Sequence, residues 1–191
     1  MPPAVTALLL GAIGFVALAA MHLGWRHRAR RTAAIVPATF AVPAARDPAL
    51  GAPRTAALEA TYVSSTTAGD RLDRVVAHDL GVRSRAVVRV FDAGVRIERT
   101  GARDVFIPAD AVRGAGTAAG MVGKVVGPAG LVVLTWQAPG PGAALLDTGL
   151  RLRHAIDRTV LIEAVGALGR RPAAPDETRA DDLGAGNEGA Q

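Results

Sequence analysis

Cysteine is absent from the 191 residues. That removes disulfides, thiolate metal sites and cysteine nucleophiles together, and it fits a reducing compartment. Lysine occurs once, at Lys124, so the 22 basic residues are almost all arginine. Aromatic residues make up 4% of the chain, too few to build the stacking surface of a nucleic-acid binder, so no nucleic-acid partner is expected. The four histidines, His22, His27, His78 and His154, stand apart from one another and from acids at ligand spacing, and HExxH does not occur. No metal site is expected from them. Side-chain charge is missing altogether between Ala4 and Gly24.

That uncharged run, AVTALLLGAIGFVALAAMHLG, has the length a helix needs to cross a bilayer, roughly 20 residues. It is followed at once by WRHRARR. Arg26, Arg28, Arg30 and Arg31 would stay on the cytoplasmic side of a span, and Trp25 suits the headgroup layer. With only Met1, Pro2 and Pro3 upstream, the expected topology is single-pass in the cell membrane, N-terminus outside and C-terminal domain cytoplasmic. A cleaved signal peptide is the main rival, with Ala17-Leu18-Ala19 as its site, but it lacks a basic n-region. Ala7 and Gly11 form a weak small-xxx-small pair.

The chain divides into a transmembrane anchor over 1–25, a basic juxtamembrane block and Pro/Ala linker over 26–56, a globular domain over 57–170 and an acidic tail over 171–191. Pro37, Pro43, Pro48 and Pro53 interrupt the linker and forbid a continuous helix. Few large apolar residues are present there, so an extended spacer with little to pack is expected. The tail holds Asp176, Glu177, Asp181, Asp182 and Glu188 among Pro, Ala and Gly, a disordered composition. Net charge is +5, which points to an anionic membrane surface as a partner.

From Leu58 the texture becomes β. ATYVSST reads as a strand. Thr67 and Asp70 resemble a capping box, and Leu72, Val75, Val76 and Leu80 follow at helical spacing, predicting a short helix over 70–80. RAVVRVFDAGVRIERT reads as a hairpin with a three-residue turn, Asp92-Ala93-Gly94. Val95 and Ile97 alternate with Arg96 and Glu98, the pattern of a half-buried strand. DVFIP, a strand near Ala109–Gly116, GLVVLTWQ and ALLDTGL complete the series. A helix from Leu152 to Leu168 closes the domain, with Ile156, Val160, Leu161, Ala164 and Leu168 on one face and Gly169 at its C-terminal cap. Antiparallel strands followed by one amphipathic helix predict a small curved sheet, sandwich or barrel capped by that helix.

No pattern carries catalysis. Gly114-Ala115-Gly116-Thr117-Ala118-Ala119 loosely matches a dinucleotide loop but lacks the long helix and the later acid. Gly123-Lys124 lacks the other members of a phosphate loop. Asp147 has no second carboxylate or nucleophile beside it in the sequence pattern. No catalytic residue, cofactor or metal ligand is expected.

The span, the Pro/Ala linker, YVSSTTAGDRLDRVVAHDLGVRSRA, DAGVRIER, DVFIPA, GLVVLTWQ and LLDTGLRL resemble a group of actinobacterial single-span membrane proteins. These carry a bacterial PH-like domain and are often encoded beside pyrimidine-biosynthesis enzymes. The resemblance implies a mainly β, PH-like barrel or sandwich with a C-terminal capping α-helix, preceded by one transmembrane α-helix. It also implies a membrane-tethered, non-enzymatic module that binds or scaffolds a protein partner of unknown identity. The alternative is anionic lipid headgroup binding. Arg83, Arg85 and Arg89 share one side-chain parity and are the candidate anionic-ligand contacts, because arginine pairs with phosphate bidentately. The plainer reading is a solvated face with Glu98 as partner. Self-association through the helix or a sheet edge stays open.

Overall fold

In this computed structural model the described residues are 3–70, 72–121, 124–125 and 130–168, without the side chains of 3, 5–8, 25–31 and 124–125. The acidic tail and the Gly169 cap lie outside the described residues, as do the side chains of Trp25, Arg26, Arg28, Arg30 and Arg31. Among the described residues no helix is long and apolar enough to cross a membrane. The uncharged run of the sequence is described at side-chain level only for Ala4 and 9–24.

Helix α1 spans Pro3–Ile35. It continues through the arginine block, because Arg and Ala are good helix formers and nothing interrupts them before Pro37, whose ring disfavours helix at the residue before it. The linker therefore does not begin where expected. Among the described side chains of α1, Leu9, Leu10, Ile13, Phe15, Leu18 and Leu23 are all more than half exposed, Phe15 at 74%.

The spacer expectation also fails over 36–55, because this segment packs. Val36 and Leu50 are fully buried, and Phe40 stacks obliquely on Trp136 with centroids 6.4 Å apart. Asp47 caps a single 3-10 turn at Pro48–Leu50 through Ala49 N–H, and Arg54 pairs with Asp92 at 2.8 Å. Four prolines stop the segment from forming a helix but leave its few large side chains free to fill gaps.

The strands are β1 (Leu58–Thr67), β2 (Ser84–Phe91), β3 (Gly94–Arg99), β4 (Val105–Pro108), β5 (Val112–Ala118), β6 (Gly120–Met121), β7 (Lys124–Val125), β8 (Leu131–Gln137) and β9 (Leu145–Leu152). Seven form one antiparallel sheet in the order β4-β3-β2-β1-β9-β8-β5, and β6 and β7 pair separately. It is an open sheet rather than a closed barrel, curled over one core that contains Tyr62, Val88, Ile97, Ile107, Leu134, Trp136 and Leu150. Helix α2 spans Ile156–Leu168 and packs on β5, touching β2 and β3. It starts later than expected, since Leu152 ends β9. Its buried face is Leu161, Val165 and Leu168, while Ile156 is 70% exposed.

Two further expectations are corrected. Among the described residues of 70–80 no α-helix forms. The Asp70 carboxylate instead accepts from Leu72 and Asp73 N–H, a turn that follows β1. Val75 and Leu80 then pair back onto Ser65, and only a 3-10 turn at Ala77–Asp79 is helical. The second half of β1 needed backbone partners, and this segment supplies them. The β2–β3 turn has two residues, Asp92 and Ala93, because Phe91 pairs with Gly94. Gly94 has φ 149° and lies under β4, where a Cβ would collide with the Ile107 carbonyl.

A candidate anion-binding groove

Alternation assigns two faces to the sheet. Tyr62, Ala86, Val88, Val95, Ile97, Thr148 and Leu150 are buried on the core side, with Ala60 partly buried against them. Glu59, Thr61, Arg85, Val87, Arg89, Arg96, Glu98 and Arg151 have the opposite parity and face outward. That outer face is covered at two places. Segment 37–55 lies against the β3–β4 side, where Leu50, Phe91 and Phe106 form a small cluster and Arg96 Nε donates to the Pro43 carbonyl at 3.1 Å. At the far end of β1, Met121 packs with Val63 and Leu131 and lies against Gly149.

Between the two covers an open groove of about 970 Å³ remains, lined by β1, β2, β3 and β9. Its carboxylates are all engaged. Glu98 pairs with Arg89 at 2.7 Å and with Arg96. Asp104 pairs with Arg96 at 3.5 Å and accepts from Arg99 N–H at 2.7 Å. Glu59 pairs with Arg153 at 2.5 Å, at the exposed rim.

Arg99 is buried and spends its guanidinium inward, donating to Ser84 Oγ and to the Asp79 and Arg103 carbonyls, with its plane 3.9 Å over the Tyr62 ring. Burial lowers its pKa, and the charges of Tyr62, Asp79 and Asp104 oppose that. Arg85 and Arg151 remain. Both line the groove, and both are exposed, their side chains making no ion pair or hydrogen bond among the described residues. They stand opposite the same residue, Thr61, on its two neighbouring strands.

Of the three arginines singled out from sequence, the structure places one in the groove unpaired, Arg85. Arg89 is tied to Glu98, the plainer alternative for it. Arg83 precedes β2, is exposed and does not line the groove. Arg151 and Arg153 were missed. Their alternation with Leu150 and Leu152 was a usable signal, but nothing local says that β9 pairs with β1. Among the described residues no group of three or more His, Asp and Glu could hold a metal ion.

The chain matches the Bacterial PH domain-like family over residues 37–166. It belongs to that family. The match includes the packed segment before β1 and most of α2, so the domain begins about where α1 ends. No curated protein matches the chain.

Proposed function

We propose that the chain is a membrane-held, non-enzymatic docking module that binds a protein partner through the outer-face groove of its PH-like domain. The groove carries this reading. It is open, and it holds two unpaired arginines in a setting whose acids are already neutralised. A protein surface can fill such a discrete site. A bilayer would instead call for a broad basic surface without interposed carboxylates, which ranks anionic headgroup binding by Arg83, Arg85 and Arg89 second. Membrane anchoring is supported by the uncharged run from Ala4 to Gly24 and by the uncovered apolar side chains of α1, since a helix apolar all round belongs in a core or a membrane. The domain then faces the cytoplasm, on the side of the arginine block.

A photo-crosslinker at Val87, in the groove, is compared with one at Thr117, exposed on the β5 edge. In membranes of the native host type, a discrete protein adduct is expected at Val87 and not at Thr117. Adducts to lipid alone from Val87 would refute the docking reading. Topology is read with single engineered cysteines, Pro2→Cys and Thr100→Cys, which a cysteine-free chain makes unambiguous. The first should label from outside and the second only after permeabilisation.

A further inference from the structure

Two guanidinium groups without a counter-charge, flanking one hydroxyl, have a specific chemical complement. Neighbouring strands lie about 4.8 Å apart, so the Cα atoms of Arg85 and Arg151 stand about 10 Å apart with Thr61 between them. Both side chains can close on one group above that hydroxyl. Thr61 Oγ1 makes no hydrogen bond among the described residues and is free to donate.

We infer that Arg85, Thr61 and Arg151 form a seat for one phosphate monoester carried on a side chain of the protein partner. The inference rests on the docking reading above and names what the groove recognises. A phosphate monoester brings about −1.5 to −2 charge at neutral pH and three acceptor oxygens, against two fixed positive charges, two planar forks and a hydroxyl. A carboxylate brings one charge and two oxygens, and leaves one arginine unmatched. Each guanidinium can take two oxygens side by side. Glu59, Glu98 and Asp104 bound the seat on its flanks. Each is already paired with an arginine of its own, so none of them takes up the charge of Arg85 or Arg151.

The full chain in detergent micelles is titrated against a fluorescent Gly/Ser peptide carrying one phosphoserine, and against the same peptide with serine or aspartate there. Binding of the phosphopeptide is expected to exceed both by at least about tenfold, and Arg85→Gln and Arg151→Gln should each weaken it by a similar factor. Thr61→Val should weaken it about threefold. Arg113→Gln, on β5 away from the groove, should change nothing, and Arg85→Lys, which keeps the charge but not the fork, should fall between. Equal binding of phosphorylated and unphosphorylated peptides overturns the seat, as does binding that survives the Arg85→Gln/Arg151→Gln pair. Binding to phosphatidic-acid vesicles without phosphopeptide binding overturns the protein source. A Val87 protein adduct that persists after phosphatase treatment sinks the seat and spares the docking module. Phosphopeptide binding without any protein adduct does the reverse.

Discussion

Tyr62 sits at one end of a chain of polar groups that crosses the core. Trp136 Nε1 donates to Thr148 Oγ1 at 2.9 Å, Thr148 and Ser65 share a 2.6 Å bond, Ser65 and Tyr62 share another, and Tyr62 donates to the Leu80 carbonyl at 3.1 Å. Each hydroxyl receives one proton and gives one, so the bonds run in a single direction and end on a carbonyl that can only accept. Thr148→Val removes the central link without changing volume much and strands Ser65 and Trp136. Stability to denaturant should fall by about 1–3 kcal/mol. Burial raises the Tyr62 pKa above its ordinary 10.0, against the opposing effects of Ser65, Arg99 and Thr148. A folded-state pKa raised in this way makes stability complete below pH 10 and lost as pH climbs through the folded value. Tyr62 is the only tyrosine, so its tyrosinate absorbance should appear late and together with alkaline unfolding. At Gly94 the constraint is steric. Gly94→Ala places a methyl on the Ile107 carbonyl, and the melting temperature should drop by several degrees.

At the scale of elements, segment 36–55 behaves as part of the domain. Leu50 is 1% exposed between Phe91 and Phe106, so Leu50→Ala should cost about 2–5 kcal/mol. A chain cut at residue 57 should expose that cluster and bind hydrophobic dyes, whereas one cut at residue 32 should melt cooperatively. The β2–β3 hairpin and β9 were legible because apolar and polar residues alternate along them, and β4 and β8 because each is a short apolar run rich in β-branched and aromatic residues between turn residues. Segment 70–80 was not. Leu72, Val75, Val76 and Leu80 fit a helical period, yet Leu72 ended 72% exposed and His78 and Asp79 adopted positive φ. The demand of β1 for backbone partners outweighed local propensity, and that demand comes from the fold rather than from neighbouring residues. The packing of 36–55 was hidden for a related reason. Its composition is that of a tether, and only the shape of the β3–β4 face gives Phe40 and Leu50 somewhere to go. The site was half legible. Arg85 stood out in its own strand, but its counterpart Arg151 becomes a neighbour only through β1, which pairs with both strands.

For the molecule as a whole, the junction between α1 and the domain matters most. The last turn of α1 is held by backbone and side-chain bonds: Ala77 N–H to Thr32 Oγ1 at 3.2 Å, Ala144 N–H to the Ile35 carbonyl at 2.9 Å, and His78 Nε2 with the Val36 carbonyl at 3.0 Å. Thr32 and Val36 are buried there. These contacts take up carbonyls that a helix C-terminus otherwise leaves to water. Because the helix runs unbroken into this socket, it acts as a keyed shaft. Each residue added between Gly24 and Thr32 would turn the groove by about 100° about the helix axis and lift it about 1.5 Å. The direction in which Arg85 and Arg151 look is therefore set by counting residues along α1.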